Sequence, residues 1–304
     1  MLPMEMAQQR YRGTGFDRVL SFSIPDRHAR GRVVRLGPVL DTILAAHDYP
    51  PAIKHLLAEA LVLTSLMGGL LKGDNSQLTL QAQTQGGIVE LLVCDFRAGE
   101  LRGYVKHDAE RFARLGANPS LEALFGDGFL AVTFDLDESG GRYQGVVPLE
   151  GASLAEAVEA YFAQSEQIPT LIRMAVRAGT GGCVGGGLLL QHLPEGEVGR
   201  ERLHVRLDHP EWEHVAIMGQ SVRHEELIDH DLALEELVWR LFHEEREVRV
   251  SPGAHLSRGC RCSIEHFGDV LARFPAEERQ EMRNESGVIV VDCAFCSRDF
   301  TIPD

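Results

Sequence analysis

Four cysteines near the end of the chain have the residue type and spacing of a metal site. Cys260 and Cys262 form a Cys-x-Cys pair, and Cys293 and Cys296 follow thirty residues later as a Cys-x-x-Cys pair. Tetrahedral Zn²⁺ binds four sulfur ligands at about 2.3 Å, and two close pairs supply them with one intervening loop to close. We therefore predict a zinc site with these four cysteines as ligands.

These thiols also have the chemistry of an oxidant sensor. Four thiolates on one Zn²⁺ leave a local charge of about −2, which Arg258, Arg261 and Arg298 offset only in part. Such thiolates stay deprotonated, ready for an electrophilic oxidant. A disulfide within Cys-x-Cys would close a small, strained ring, and strained disulfides are the labile, regulatory kind. A segment of about fifty residues depends on the roughly 10–16 kcal/mol that structural zinc supplies, so loss of the metal would unfold it. A purely structural zinc knuckle is the alternative that the spacing leaves open.

The sequence around the four cysteines indicates which elements position them. Residues 287–292 and 298–302 predict strands that enter and leave the second pair, and two short helices are predicted between the pairs, the first carrying Ile264, Phe267 and Val270. His255 and His266 lie near the ligands in sequence, but four sulfurs already fill the tetrahedron, so we exclude both.

Residues 195–247 are rich in Glu, Arg, His and Asp but keep a helical period. A solvated tether would not need Trp212, Trp239 and Phe242, so we expect these helices to dock on the core or on the zinc segment. A small helical subdomain without a switching role is the alternative. The stripe at i, i+3, i+4 and i+7 consists of Leu234, Leu237, Val238, Leu241 and Phe242.

The first 194 residues predict an α+β core of antiparallel strands with helices packed on one side. Helices are expected from Pro38 to His47, after Pro50-Pro51, and from Ser153, where Glu156 completes a capping box. Strands with alternating or apolar patterns and hairpin spacing are expected at 16–24, 29–36, 77–83, 88–96, 101–107, 129–136, 143–149, 170–178 and 185–192.

Composition narrows the class of protein. At 304 residues with 44% apolar content, the chain is long enough for a large domain and a small one. No secretion signal is visible, and the apolar run 58–71 is too short to span a bilayer, so we expect a soluble, cytoplasmic protein without a membrane partner. The net charge of −15 argues against nucleic-acid binding.

Other candidate sites carry less chemistry. Cys94 and Cys183 stand alone and are expected to be packed in the interior. The glycine cluster 181–187 lacks the Lys-Ser/Thr of a phosphate-binding loop, so a turn or bulge is the better interpretation. No nucleophile elbow or catalytic carboxylate pair is present, and four cysteines leave no open zinc position, so we do not expect an enzyme.

Several short motifs follow one another along the chain. In order they are Leu71-Lys72-Gly73, Leu78-Thr79-Leu80-Gln81, the run YFAQSEQIPT at 161–170, Gly186-Gly187-Leu188 with Gln191, and the run RLFHEE at 240–245. The last and most specific motif is Cys-x-Cys, thirty residues, Cys-x-x-Cys. In these motifs and their order the chain resembles the 33 kDa chaperonin family, the bacterial redox-regulated heat-shock holdases.

The resemblance implies a chaperone that works without ATP. When reduced, Cys260, Cys262, Cys293 and Cys296 would hold Zn²⁺ and the protein would be an idle monomer. Peroxide with heat, or hypochlorite, would form the disulfides Cys260 with Cys262 and Cys293 with Cys296 and release zinc. The linker would then loosen and expose apolar surface that binds unfolding client proteins, and the active form would be a homodimer. The implied division is a core at 1–194, a metastable linker at 195–257 and a zinc-binding switch domain at 258–304.

The residues after the first cysteine pair depart from the family pattern. The family commonly has a basic-acidic-basic run after the second cysteine, whereas this chain has Ile264-Glu265-His266, which would alter how easily the segment oxidises. We expect Cys293 and Cys296 to oxidise first, because their wider ring is less strained. A zinc-ribbon adaptor that binds a protein or nucleic-acid partner constitutively is the alternative function.

Overall fold

The structure, a computed structural model, describes residues 15–71, 73, 75–137, 141–179, 181–193 and 209–302. Two antiparallel sheets form the body of the fold, which confirms the predicted α+β class. Sheet 1 has five strands in the order β10-β1-β2-β9-β8, and sheet 2 has six in the order β11-β5-β4-β3-β6-β7. A separate hairpin pairs β12 with β13, and the short β11 is parallel to β5.

The strands alternate with helices along most of the chain. The strands are β1 (Arg18–Ile24), β2 (Ala29–Leu36), β3 (Gln77–Thr84), β4 (Val89–Arg97), β5 (Glu100–His107), β6 (Gly128–Asp135), β7 (Arg142–Pro148), β8 (Thr170–Gly179), β9 (Gly182–His192), β10 (Arg249–His255), β11 (Ser257–Arg258), β12 (Ile289–Asp292) and β13 (Asp299–Ile302). The helices are α1 (Pro38–Leu44), α2 (Pro51–Gly68), α3 (Ala109–Phe112), α4 (Leu121–Phe125), α5 (Leu154–Tyr161), α6 (Pro210–Gln220), α7 (His224–Ile228), α8 (Leu234–Phe242), α9 (Ile264–Leu271) and α10 (Ala276–Glu281). A 3-10 turn follows β1 and a π-helical turn follows α5.

Helix α2 lies between the two sheets and contacts strands of both. Apolar residues surround it on nearly all sides, as expected for a helix buried within a core. Pro51 starts the helix at its first position, where the missing N–H costs no hydrogen bond. The apolar run that the sequence shows at 58–71 is therefore a core helix, and none of the described helices is long and apolar enough to cross a membrane.

Sheet 1 has helices on both faces, because α6 and α8, which follow the predicted core of residues 1–194, cover the face opposite α2. Successive side chains of a strand point to opposite faces, and the two faces of β1 and β2 belong to two separate apolar clusters. Val19 and Val34 face α2, whereas Leu20, Phe22 and Val33 face α6 and α8. For the same reason β9 has apolar side chains on both faces, with Leu189 in the cluster around α2 and Leu188 and Leu190 in the cluster beneath α6 and α8.

Gly181 of the glycine cluster lies in the β8–β9 turn, as predicted, whereas residues 182–187 are part of β9 and form no bulge in its pairing with β8, which corrects the rest of the sequence interpretation. A Cβ at Gly185 would lie 2.7 Å from Val62 Cγ2, and one at Gly187 would lie 2.8 Å from Leu66 Cδ1. Gly185 and Gly187 therefore let α2 approach the sheet closely.

Helices α6, α7 and α8, here called the linker helices, dock on the outer face of sheet 1. Trp212 and Phe242 are buried there, as predicted. Trp239 is 63% exposed and its ring lies 5.0 Å from that of His243, centroid to centroid, so its expected docking role is wrong. The part of the predicted linker from 195 to 208 lies outside the described residues.

Residues 259–302, here called the cysteine module, carry α9, α10 and the β12–β13 hairpin. The Phe267 ring of α9 lies 5.2 Å from the Phe300 ring of β13, centroid to centroid, and joins the helix to the hairpin. None of the residues of α9 and α10 is buried. So thin an apolar core fits the expectation that this segment needs another source of stability.

Candidate metal centre

The four sequence-predicted cysteines come together in the structure. The Sγ atoms of Cys260 and Cys262 lie 3.2 Å apart, those of Cys260 and Cys293 3.6 Å, and those of Cys262 and Cys296 3.5 Å. All four sulfurs lie within 4.8 Å of one another, so the group could hold a metal ion. A tetrahedron with metal–sulfur bonds of about 2.3 Å has edges of roughly 3.8 Å, close to these separations. Four soft sulfur donors fit Zn²⁺ and leave no open position for substrate.

Each cysteine pair occupies a tight loop that the local sequence explains. Cys293 follows β12 and its backbone N–H donates to Arg298 O at 2.9 Å across the hairpin. The N–H groups of Cys296 and Ser297 both donate to Cys293 O, and Ser297 takes a left-handed φ of 51° to close the turn. The first pair follows β11 after one residue, Gly259, whose N–H donates to Leu101 O at 2.9 Å.

The electrostatic surroundings of the thiols are uneven. Burial raises the pKa of Cys262, and hydrogen bonds to the Cys260 and Cys296 thiols raise it further. Burial also acts to raise the pKa of Cys296, but hydrogen bonding with Arg298 and Cys262 outweighs it and lowers that pKa to about 6. Arg298 therefore supplies positive charge beside the cluster, as the sequence suggested for the arginines near the pairs.

Arg261 joins the first cysteine loop to sheet 2. Its guanidinium donates to Gln77 Oε1 at 2.6 Å and lies 3.5 Å from Asp95 Oδ2. Asp95 is buried and also accepts hydrogen bonds from Thr79 Oγ1 at 2.7 Å and from Arg102 Nε at 2.7 Å. A buried carboxylate with three donors is a strong anchor, since charge-assisted hydrogen bonds in a partly dry site are the stronger kind. Sequence reasoning named Arg261 for its charge and missed Asp95 altogether.

Phe295 joins the second cysteine loop to the same sheet. Its ring meets Tyr104 edge to face with centroids 4.9 Å apart, and the Arg102 guanidinium lies 4.0 Å from its centroid. Next to it, Ser297 Oγ lies 3.1 Å from His47 Nδ1. The cysteine module therefore contacts the core through both of its cysteine loops.

The residues that sequence analysis excluded stay outside this group. Cys94 and Cys183 are buried, and burial raises the pKa of both thiols, to about 12 for Cys183. Neither His255 nor His266 belongs to a cluster of potential metal ligands among the described residues. The described residues contain one further cluster of potential ligands, the exposed Asp229-His230-Asp231, which the sequence analysis did not note.

Comparison with known proteins gives a consistent result. A family model described as Hsp33 protein matches residues 17–303. A protein named 33 kDa chaperonin from Caulobacter vibrioides is 39% identical over 293 residues, which cover 94% of each chain. One of the same name from Shigella boydii is 36% identical over 273 residues, covering 89% of this chain and 87% of the other. In fold, the crystal structure of the 33 kDa chaperonin from Thermotoga maritima matches with a TM-score of 0.75 at 22% identity, covering 94% of each chain.

A match to nearly the whole chain by the family model and by relatives above 30% identity leaves little of the sequence unaccounted for. These relatives are named as chaperonins, which supports a chaperone function and the binding of client proteins. The motifs that suggested the family are thus part of a similarity that extends from β1 to β13, and the chain belongs to the Hsp33 protein family.

Proposed function

We propose that this protein is a redox-regulated holdase that binds unfolding proteins and prevents their aggregation without ATP. It is inactive when its four cysteines are reduced and hold Zn²⁺, and disulfide formation with zinc release activates it. The observation that carries the proposal is the covered apolar face of sheet 1. Leu20, Phe22, Leu188 and Leu190 lie fully or almost fully buried beneath linker helices whose outer surface is charged.

That face becomes adhesive if the linker helices leave it. Removing apolar surface from water is favourable by roughly 25 cal/mol of free energy for each Å². A large exposed apolar surface therefore marks an interaction site. The linker helices carry the complementary apolar stripe along α8 and the buried Trp212 of α6. Release would therefore expose both partners of this interface to unfolding clients.

The four cysteines supply the control. Bound Zn²⁺ would contribute about 10–16 kcal/mol of folding free energy to a module with very few buried side chains. Cys260, Cys262, Cys293 and Cys296 are the residues that would hold it. One peroxide molecule oxidises two thiols to one disulfide, takes up both thiol protons and is reduced to two waters. Sulfurs paired in disulfides no longer act as thiolate ligands, so the cysteines lose the ion and the module loses its main stabilisation.

The proposed pairing is Cys260 with Cys262 and Cys293 with Cys296. The first pair has the shortest of the sulfur separations given above, 3.2 Å. Cys260 to Cys293 and Cys262 to Cys296 are nearly as close, at 3.6 and 3.5 Å, so cross-pairing is sterically open. Peptide mapping of the oxidised protein distinguishes the two patterns, and early loss of Cys260 and Cys262 reactivity would contradict our expectation that the other pair oxidises first.

The connection between module and linker is short. Leu256 is buried and separates β10, which pairs with β1 of sheet 1, from β11, which pairs with β5 of sheet 2. Cys260 follows β11 after a single residue. Unfolding of the cysteine module would remove the support of β11 and then of β10. This supports the division at 195–257 and 258–304, with a core at 1–194.

The remaining parts of the proposal concern partners and location. We propose that the reduced protein is a monomer, that the oxidised protein is a homodimer, and that it acts in the cytoplasm on unfolding proteins. It is not an enzyme and has neither nucleic acid nor membrane as a partner. The net charge of −15 supports the exclusion of nucleic acid.

The test combines zinc release with client aggregation. Full-length protein is treated with hypochlorite or with peroxide and heat, released zinc is measured with a chelating dye, and light scattering follows a heat-denaturing client. We expect zinc release and suppression of aggregation to rise together and to reverse with dithiothreitol and added Zn²⁺. Equal suppression by the reduced, zinc-loaded form would refute the proposal and favour a constitutive adaptor.

A further inference from the structure

Arg35 on β2 is a buried cation whose hydrogen bonds all go to the linker helices or the turn beside them. Its side chain is 0% exposed. Nε donates to Leu227 O at 3.0 Å, Nη1 to Leu232 O at 2.5 Å and Nη2 to Glu226 O at 3.1 Å. No carboxylate of the described chain forms an ion pair with it within 4.0 Å. The guanidinium therefore depends on α7 and the α7–α8 turn for its polar contacts.

Gly186, the cross-strand partner of Arg35, takes part in the same contact with Leu227. Arg35 and Gly186 face each other in the β2–β9 register. A Cβ at Gly186 would lie 2.1 Å from Leu227 O, so only glycine lets this carbonyl reach the sheet. The neighbouring glycines, Gly185 and Gly187, face α2 on the other side of the sheet. Arg35 and Gly186 thus form one seat for the Leu227 carbonyl.

The Arg35 contact is favourable while the linker helices are docked, and solvation offsets part of its loss when they leave. Carbonyls at the end of a helix lack intrahelical partners, and here a cationic donor satisfies two in α7, those of Glu226 and Leu227, together with the carbonyl of Leu232 in the α7–α8 turn. Burying a guanidinium costs desolvation free energy: burial lowers the pKa of Arg35 to about 10, although the negative charge of Asp229 acts to raise it. If the linker helices leave, water solvates both the guanidinium and the carbonyls. Part of the cost of breaking the contact is thereby returned.

We propose that Arg35, seated with Gly186 against Leu227, is the positioning residue that holds the linker helices on sheet 1, so that its removal releases the linker without oxidation or zinc loss. This inference rests on the proposed function. In it, the buried Arg35 contact holds the linker helices in the inactive arrangement, and oxidation of the distant cysteines ends that arrangement. Arg35 acts through the linker and touches neither thiols nor client.

The chain offers a matched control on the same strand. Arg32 also donates from a partly buried guanidinium to a backbone carbonyl, Gly69 O, at 2.8 Å. Burial likewise lowers the pKa of Arg32 to about 10. Its side chain lies on the α2 face, away from the linker helices. Arg32→Met therefore removes the same chemistry from the opposite face of sheet 1.

The experiment compares Arg35→Met, Arg35→Lys and Arg32→Met in the full-length, reduced, zinc-loaded protein. Linker release is read from the emission of Trp212 in a Trp239→Phe background and from the rate of limited proteolysis between 209 and 248. We expect Arg35→Met to shift Trp212 emission to the red and to raise the cleavage rate at least tenfold, with zinc content unchanged. Arg35→Lys should fall between wild type and Arg35→Met, because an ammonium can still bind carbonyls but cannot span all three. Arg32→Met should change the cleavage rate less than twofold.

A second variant covers the case in which Arg35→Met does not fold. Gly186→Ala leaves Arg35 in place but puts a methyl group where Leu227 O lies, so it should release the linker in the same way. The decisive comparison is the rate of linker cleavage in Arg35→Met, or in Gly186→Ala if Arg35→Met is insoluble, against that in Arg32→Met. A rate no faster than in Arg32→Met would overturn the assignment. Client aggregation is then measured separately. Release of the linker without holdase activity would support the role of Arg35 and refute the client-binding face of the proposed function.

Discussion

At the scale of single residues, buried charges decide how the elements are joined. Asp95 receives donors from sheet 2 and from the first cysteine loop, and Arg35 donates to the linker. Asp17 does the same at the start of α1, where its carboxylate accepts from Gly37 N at 2.9 Å and Val39 N at 3.1 Å. Each of these buried charges has hydrogen-bond donors or acceptors that only this arrangement of the elements supplies, which makes its contact specific.

Asp17 leads to a pH prediction. Burial raises the pKa of Asp17 from 3.8 to about 6, although the two backbone hydrogen bonds act to lower it. Between about pH 4 and pH 6 the folded protein keeps a proton that the unfolded chain has lost, so the contribution of Asp17 to stability falls as pH rises through this window. The fall is at most about 3 kcal/mol, from 1.36 kcal/mol per unit.

Urea unfolding of wild type and Asp17→Asn from pH 4 to pH 7 measures this effect. The Asn variant loses one acceptor but cannot ionise, so wild-type stability minus variant stability should decrease with rising pH. A difference that is constant or that increases over this range would show that the carboxyl is charged at pH 4 in the folded protein.

At the scale of elements, β9 shows how one strand serves two neighbours. Its glycines face alternately α2 and α7, and its leucines face alternately the two apolar clusters. A strand with side chains in the glycine positions would keep both helices away from the sheet. The close approach of α2 to sheet 1 therefore depends on the glycines of β9 as much as on apolar burial.

Gly187→Ala tests this dependence. The new methyl group would lie 2.8 Å from Leu66 Cδ1 and from Val62 Cγ1, and overpacking a core costs about 1–3 kcal/mol. Thermal unfolding should show a melting temperature lower by several degrees. Gly179→Ala at the end of β8 is the control, because nothing lies within 4 Å of its Cβ position, and its effect should stay within about 0.5 kcal/mol. Equal effects of the two substitutions would contradict the close-packing argument.

At the scale of the whole molecule, stability is unevenly distributed. The core has continuous apolar clusters around α2, whereas the cysteine module has few buried residues and depends on contacts through its cysteine loops. The linker helices lie between these extremes. They are held by the apolar stripe of α8, by Arg35 and by ion pairs such as Arg27 with Glu245 at 2.9 Å. A molecule built this way can lose one end while its core stays folded.

Sedimentation tests the oligomeric part of the proposal. Burial of an exposed apolar sheet face against a second copy lowers the free energy. The oxidised protein should therefore sediment as a dimer and the reduced, zinc-loaded protein as a monomer. Reduction with added Zn²⁺ should restore the monomer. A dimer of unchanged affinity in both states would separate dimerisation from activation and remove this part of the proposal.

Local patterns in the sequence were sufficient for much of this description. Strand alternation, the apolar run of α2, the capping box at Ser153 and the spacing of the four cysteines each depend on residues close in sequence. The predicted ranges of most long elements agree with the structure. The short α3, α4 and α7 were not predicted, and neither was β10, because one turn of helix or an exposed strand containing Pro252-Gly253 has no clear periodicity.

Contacts between distant segments were decided only by tertiary structure. Arg35 and Leu227 are 192 residues apart, and Arg261 and Asp95 are 166 apart. Trp212 is buried and Trp239 exposed, although both lie in helices of similar charge. Whether a side chain is buried depends on what the fold places beside it, and hydrogen-bond partners can be named only once the strands are in register. The sequence therefore determines the type and spacing of the four cysteines that could hold a metal ion, and the folded arrangement determines which elements those cysteines lie against.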